Sequence, residues 1–416
     1  MKKVIFIFLL LMIGKSLLAC TLFWADRNDK ILCAKNMDWS NTATRMLILP
    51  ASEGVYGRIY FGIEGSWGFT NSSGMNDQGL WYAGASLQPR HDVVNTYNKP
   101  ESDYELVEQI MRECATVDEA IAVLITYWEP HWNGHSLIAD RFGNCMAVEY
   151  GEDDVVIIRN TKDYQIITNF YLIDSVNTRW TDCYRYQVAD AMLKDDSRKI
   201  SYEFFRDIAD ATHADGTGQT GLTTLHDLKN RTMRVFSMRN FEEYLNLDLS
   251  AQLAYGEHYV AFSDYFSGLR RLSPLEGENV PANNVELIWT GDEDEYLVRY
   301  GSDPDLEEYT EIHYEAQAEV QVAGMDWKVF ILPFFSMIIV ILKRRRVFMF
   351  FLVFISIFNT ACYQVEIEPQ YSKIEHSIVL NDQVPGTTLY WKVLSTGNGY
   401  NSETKIYQCK MVANEE

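Results

Sequence analysis

Positive charge is scarce in this chain. Across 416 residues, 36 Lys and Arg face 58 Asp and Glu, a formal net charge of −22. A phosphate-backbone partner requires a basic footprint, so nucleic acid is excluded as a ligand. Cysteines number 7, at positions 20, 33, 114, 145, 183, 362 and 409. No two stand as a CxxC pair, which removes support for a zinc site. His131 and His135 have the i,i+4 spacing of a metal-binding helix, but Pro130 and Gly134 oppose such a helix. The acidic stretch from Glu286 to Glu319 lacks EF-hand spacing and reads as a solvated face rather than a calcium site. No metal and no cofactor is expected. Apolar runs are present, but each is short for a bilayer span on its own.

What the chain does have begins at its first residue. Met1-Lys2-Lys3, an uncharged run from Val4 to Ile13 and then Ser16-Leu17-Leu18-Ala19 describe a secretory signal peptide over residues 1–19. Cleavage after Ala19 would leave Cys20 first. Two readings of that cysteine compete. Leu17-Leu18-Ala19-Cys20 has the form of a lipobox, whose cysteine is thioether-linked to lipid and N-acylated. Alternatively, thiol and α-amine stay free on one residue and form a catalytic unit.

A second membrane signal covers residues 327–361. Val329–Leu342 is apolar, Lys343-Arg344-Arg345-Arg346 follows, and Val347–Phe358 is apolar again. With their flanks the runs approach the lower limit for spanning, and the basic cluster belongs on the cytoplasmic side. One pass or two are both compatible. The cluster, the second run and Thr360-Ala361-Cys362 also imitate another lipoprotein signal, as though the tail came from a separate reading frame. Cys362 and Cys409 are a pair that an exported tail would allow to bridge.

Residues 20–262 read as one α+β domain. Alternating runs predict strands at Thr21–Ala25, Ile31–Asn36, Arg58–Ile63, Leu80–Ser86, Ser136–Asp140, Val155–Ile158 and Gln165–Asn169. Thr116-Val117-Asp118-Glu119 is a capping box opening a helix, and Ser201 caps another over Tyr202–Ala211. Tyr186–Leu193 also reads as helical. Residues 263–326 hold a linker and the first half of a β-sandwich-like module, with strands at Val285–Trp289 and Tyr296–Tyr300. Residues 362–416 hold the second half, with strands at Thr387–Val393 and Thr404–Met411. Residues 274–325 and 363–416 together number 106, close to the roughly 100 residues of one immunoglobulin-like sandwich. The halves resemble the early and late strands of a fibronectin type III-like module interrupted by the hydrophobic block.

The start of the mature chain is the most specific chemical signal. Cys20-Thr21-Leu22-Phe23, a turn at Arg27-Asn28-Asp29, and Lys35-Asn36-Met37-Asp38-Trp39 form a strand–turn–strand. Antiparallel pairing returns Asp38 to the side of Cys20. A free α-amine titrates near 7.7–8.0 and a thiol near 8.5, so the amine can take the thiol proton. Asp38 would position the ammonium, and Lys35 would favour the thiolate.

This pattern resembles the N-terminal nucleophile (Ntn) hydrolases of the choloylglycine hydrolase, penicillin V acylase and acyl-CoA:6-aminopenicillanate acyltransferase superfamily. The resemblance extends over residues 20 to about 256. Tyr56–Gly62 and Gly74-Met75-Asn76-Asp77-Gln78-Gly79-Leu80 look like the family's second strand pair and its glycine-bracketed turn. Thr168-Asn169-Phe170 looks like the element whose Asn donates to the oxyanion. Arg185-Tyr186 is similar to the motif whose Arg sits beside the nucleophile. Asn240-Phe241-Glu242-Glu243 resembles a motif near the domain's end. The resemblance implies a four-layer αββα sandwich and a catalytic set of Cys20, Asp38, Asn169 and Arg185. It puts Lys35, Ser86 and Asn76 at the substrate. Lys35 stands where bile-salt-hydrolase-like members usually carry Arg, and Ser86 where they carry a second Asn. Arg and Lys differ in bidentate reach, and an oxyanion hole needs well-placed donors, so these departures bear on substrate choice.

The expected activity is hydrolysis of a linear, non-peptide C–N amide of a small N-acyl compound through a thioester on Cys20, with acyl transfer as an extension. The catalytic domain would be periplasmic or on the cell surface and tethered to the membrane. Tyr82, Trp67, Trp81 and Trp132 are candidates for an apolar acyl pocket. A lipid-anchored surface protein with a non-catalytic Ntn-like binding domain is the alternative. A papain-type Cys–His protease has little support, since no His stands in a partner motif.

Overall fold

Residues 20–39, 43–87, 95–129, 134–151, 154–173, 183–315, 375–395 and 402–413 are described by the computed structural model. The signal segment 1–19, the membrane block 327–361, Trp132 and Cys362 lie outside the described residues. Among the described residues, no helix is long and apolar enough to cross a membrane.

The opening hairpin forms as its alternation predicts. β1 (Cys20–Arg27) and β2 (Lys30–Asp38) are joined by Asn28 and Asp29, both at positive φ. A two-residue turn of that kind matches the right-handed twist of the strands it connects. There follow β3 (Thr44–Leu49), β4 (Arg58–Gly65), β5 (Gly68–Asn76) and β6 (Trp81–Ser86). Helices α1 (Leu106–Glu113) and α2 (Val117–Thr126) come next, the latter opened by the Thr116/Glu119 capping box read from the sequence. Four strands continue the chain: β7 (Gly134–Ala139), β8 (Cys145–Tyr150), β9 (Val155–Arg159) and β10 (Tyr164–Ile167). Then come α3 (Tyr184–Lys194) and α4 (Tyr202–Ala211), with Ser201 accepting from the Phe204 N–H as N-cap. β11 (Thr220–Asp227), β12 (Thr232–Ser237), β13 (Glu243–Asp248), α5 (Leu249–Ala254) and β14 (His258–Ala261) close this part.

Two sheets stack face to face. One runs β10-β1-β2-β11-β12-β13, the other β14-β3-β4-β5-β6-β7-β8-β9. Leu22, Trp24 and Cys33 of the first meet Phe61, Trp81 and Leu137 of the second in the central core. The alternate residues Phe23, Leu32 and Ala34 face outward onto Phe204, Phe205 and Ile208 of α4. On the far side, Tyr60, Ile138 and Val148 pack on Ile110 of α1 and Leu124 of α2. The four layers are therefore helix, sheet, sheet, helix. A strand covered on both faces buries successive residues, which explains the near-continuous apolar run at the start of β1. Cys33 and Cys145 are free, buried thiols that pack as small hydrophobes.

Past residue 262 the chain builds a second sandwich. Its strands are β15 (Arg270–Ser273), β16 (Asn279–Pro281), β17 (Val285–Thr290), β18 (Glu295–Gly301), β19 (Thr310–Glu315), β20 (Glu375–Leu380), β21 (Thr388–Ser395), β22 (Ser402–Thr404) and β23 (Tyr407–Val412). β17 pairs with β15 and β20; β18 pairs with β19 and β21; β23 pairs with β21 and, in parallel, with β16. The halves either side of the hydrophobic block thus interleave in both sheets. They share one core of Trp289, Tyr296 and Val298 with Trp391, Val393 and Tyr407. The long run expected at Thr404–Met411 is broken into β22 and β23, and β22 pairs with β13 to make the first sheet continuous with the sandwich. Cys409 is a free thiol in this core.

In the acidic stretch, Asp303 accepts from the Asp305, Glu307 and Glu308 backbone N–H groups, so one carboxylate closes a turn. No metal-ligating cluster occurs among the described residues.

Candidate active site

Cys20 is the first residue of β1 and lies opposite Met37 of β2, so Asp38 is set one position beyond it. Burial pushes the thiol up, while Lys35 is the largest influence drawing it down. Asp38 itself is fully buried. Its Oδ1 accepts the hydroxyl of Thr220, which a register shift between Thr220 and Leu222 of β11 places opposite it. Its Oδ2 lies 3.5 Å from Arg185 Nη1 and has no hydrogen-bond partner. Burial raises the Asp38 carboxyl to about 7, against the pull of Thr220, Arg185 and Lys35.

Arg185 reaches in from the first turn of α3. It donates to the Cys20 carbonyl at 2.6 Å, to Thr21 Oγ1 at 2.8 Å and to Asn169 Oδ1 at 3.0 Å. Asn169 follows β10 and bridges the two sheets. Its Oδ1 accepts from the Cys20 N–H at 2.8 Å, and its Nδ2 donates to the Ser86 carbonyl at 2.9 Å. A carboxamide nitrogen carries two hydrogens, so one N–H of Asn169 remains for an incoming oxygen. The four residues expected to be catalytic, Cys20, Asp38, Asn169 and Arg185, therefore meet at one point.

Of the three residues expected at the substrate, Ser86 lines the cleft, whereas Lys35 and Asn76 do not. Ser86 lines the cleft over Cys20, but its carbonyl rather than its hydroxyl engages Asn169. Lys35 is buried with its ammonium on the Ser72 carbonyl (2.7 Å), the Ser72 hydroxyl and the Gly84 carbonyl (2.8 Å). An ammonium has three donors, and all are committed, so Lys35 acts on the thiol by charge and holds β5 and β6 to β2. Asn76 does not line the cleft. Its Nδ2 donates to the Met111 and Cys114 carbonyls, and its Oδ1 accepts from the Gln78 and Leu80 N–H groups. It ties the β5–β6 turn to α1.

The cleft holds about 320 Å³ and is walled by Met37, Trp39, Ile63, Tyr82 and Val107, with Asn71, Ser136 and Glu105 as polar members. Of the expected aromatics, Tyr82 lines it and hydrogen-bonds Asn71. Trp81 is instead in the central core, and Trp67 is 71% exposed at the β4–β5 turn. His213, past the end of α4, contacts Asp210 and Asp215 and does not line the cleft. Thr220, Ser72 and Glu149 carry no signal in the sequence, because each acts only through a partner distant in the chain, and the spacing of His135 from His131 points to a different role from the one it has here.

No family model matches the chain, and no curated protein sequence matches it. Solved structures do. Two variants of conjugated bile acid hydrolase from Clostridium perfringens align at TM-score 0.47 with 17% and 15% identity, each covering 58% of this chain and 96% of that one. Penicillin V acylase from Agrobacterium tumefaciens aligns at TM-score 0.44 and 18% identity, covering 56% of this chain and 86% of its own. These neighbours are members of the Ntn hydrolase superfamily.

Proposed function

We propose that the chain is an exported cysteine hydrolase of the Ntn type, cleaving the linear amide bond of an N-acyl compound. The observation that carries this reading is the convergence of Cys20, Asp38, Asn169 and Arg185, with one buried Asp38 oxygen left without a donor. Removal of residues 1–19 would give Cys20 an α-amine, which takes the thiol proton and, as ammonium, supplies that donor. The thiolate sulfur bonds to the amide carbon, and the carbonyl oxygen becomes an oxyanion held by the free Asn169 N–H and a backbone N–H. The C–N bond breaks as the ammonium proton passes to the leaving amine. Water then gives a proton to the α-amine, attacks the thioester and releases the acid and the thiol; an acceptor amine in place of water gives acyl transfer.

The hydrophobic block at 327–361 would tether the domain to a membrane. The strand order β15-β17-β20 facing β19-β18-β21-β23 supports a fibronectin type III-like module completed across that block. The test begins with the mass of the N-terminal peptide of protein purified from its producing cells. An unmodified peptide starting at Cys20 is expected, together with turnover of N-acyl p-nitroanilides that Cys20→Ala abolishes without unfolding the chain. A diacylglyceryl or N-acyl adduct on Cys20 would remove both catalytic groups and leave a lipid-anchored binder instead.

A further inference from the structure

Behind Asn169 stands a buried pair that the reaction above does not use. His135 on β7 and Glu149 on β8 are both closed off from solvent. Their adjacent strands belong to the second sheet, whereas Asn169 follows β10 of the first. His135 Nδ1 meets Glu149 Oε1 at 3.1 Å, and Nε2 hydrogen-bonds the carbonyl of Thr168, the residue before Asn169. Since a carbonyl only accepts, Nε2 is the donor. Glu149 then takes the far side of the same loop, accepting from the Leu172 N–H at 2.7 Å and the Ile173 N–H at 3.1 Å. The segment that leaves β10 of the first sheet is thus gripped by the second sheet on both sides of Asn169.

We infer that His135 and Glu149 are positioning residues for the oxyanion donor Asn169, acting through the Thr168 carbonyl and the Leu172 and Ile173 amides. The inference rests on the proposed hydrolase reading. Asn169 has one N–H committed to Ser86 and one for the oxyanion, so a shift of its backbone moves the second directly. Misplacement of about 1 Å costs up to ~100-fold in rate.

The test uses the full chain and p-nitroanilides of phenoxyacetic and hexanoic acids as probes. His135→Ala and Glu149→Ala should lower kcat at least about tenfold with KM held within about twofold. Alkylation of Cys20 by iodoacetamide should stay unchanged. His135→Gln, whose amide nitrogen reaches the Nε2 position, should recover most of the rate, and His135→Asn should not. In an Asn169→Ala background, His135→Ala should add little, since the two act as a unit. Losses that multiply in that background, or equal rescue by Gln and Asn, would overturn the inference.

A second readout does not depend on turnover. In protein labelled with 15N-asparagine, the side-chain amide signal that Asn169→Ala removes should exchange slowly with solvent. His135→Ala should hasten that exchange and His135→Gln should restore it. If no amide is cleaved but this pattern holds, the hydrolase reading fails and the positioning stands. If the Asn169 signal is unmoved in His135→Ala, the positioning fails by itself.

Discussion

Asp38→Asn should make the protein more stable in alkali and inactive at every pH. The carboxyl is fully buried, and burial raises it from 3.8 to about 7. Between those values the folded chain keeps a proton that the unfolded chain has released. Folding stability from this group is therefore complete below about pH 3.8 and declines as pH rises, until the loss is full above about 7. At about 1.4 kcal/mol per pH unit, that displacement amounts to ~4 kcal/mol. Asparagine fits the same space without titrating. Thr220 can turn its hydroxyl to accept from the new amide, and Arg185 keeps its contacts with Cys20, Thr21 and Asn169. The 3.5 Å approach of Arg185 favours the carboxylate and is already contained in that displacement. Urea denaturation of the chain retaining residues 1–19 should then show little difference near pH 4 and a gain of about 4 kcal/mol near pH 8.5. A variant less stable than the parent at pH 8.5, or a difference that does not grow with pH, would refute the argument that burial dominates at Asp38. In the processed chain an α-ammonium on Cys20 would favour the carboxylate, so the gain should shrink there.

Three further outcomes follow from the same geometry. Lys35→Met should slow iodoacetamide labelling of Cys20 about tenfold near pH 8, because the thiol loses the largest influence opposing its burial; unchanged labelling would mean that Lys35 only ties strands. Glu243→Ala should cost about 3–5 kcal/mol in urea titrations and expose the 263–269 linker to limited proteolysis. This carboxylate accepts from the Ser267 N–H and hydroxyl, the Leu269 N–H, the Ser402 hydroxyl and Asn240 Nδ2, fastening the sandwich to β13. Asn76→Ala should lose about 2 kcal/mol of stability while kcat/KM stays within about twofold of the parent, and a selective fall in kcat/KM would return Asn76 to the substrate.

The sequence made the opening hairpin legible because its information is local. Alternation, the Asn28-Asp29 turn and strand length suffice to fix the register that sets Asp38 beside Cys20. The Thr116/Glu119 capping box and the Ser201 cap were readable for the same reason, since each is satisfied within one helical turn. No expected strand covers β11 to β13, although β11 pairs directly with β2 and carries Thr220 to the site, with β12 and β13 extending the sheet beyond it. The motif Asn240-Phe241-Glu242-Glu243 stood out as a pattern, but its work was visible only once folded. Glu242 receives the Tyr407 hydroxyl and the Arg271 N–H, and Glu243 receives Ser402, so it is the fastening of the C-terminal sandwich.

By itself the sequence determined which residue types stand near the first strand and which secondary structure each short stretch prefers. Its hairpin pattern set Asp38 beside Cys20, and its resemblance to the Ntn hydrolases implied Asn169 and Arg185 as their companions. Only the tertiary structure decided what those side chains do with their hydrogen bonds. Lys35 and Asn76 were expected at the substrate, yet both spend their donors on main-chain carbonyls of other strands or a helix. His135 stands at i,i+4 spacing from His131 in the sequence, but its contacts in the fold are Glu149 and the Thr168 carbonyl. The physical reason is that a buried polar group must find a partner wherever the fold supplies one. That partner is set by sheet stacking over separations such as the 149 residues between Cys20 and Asn169, where no local pattern can register it.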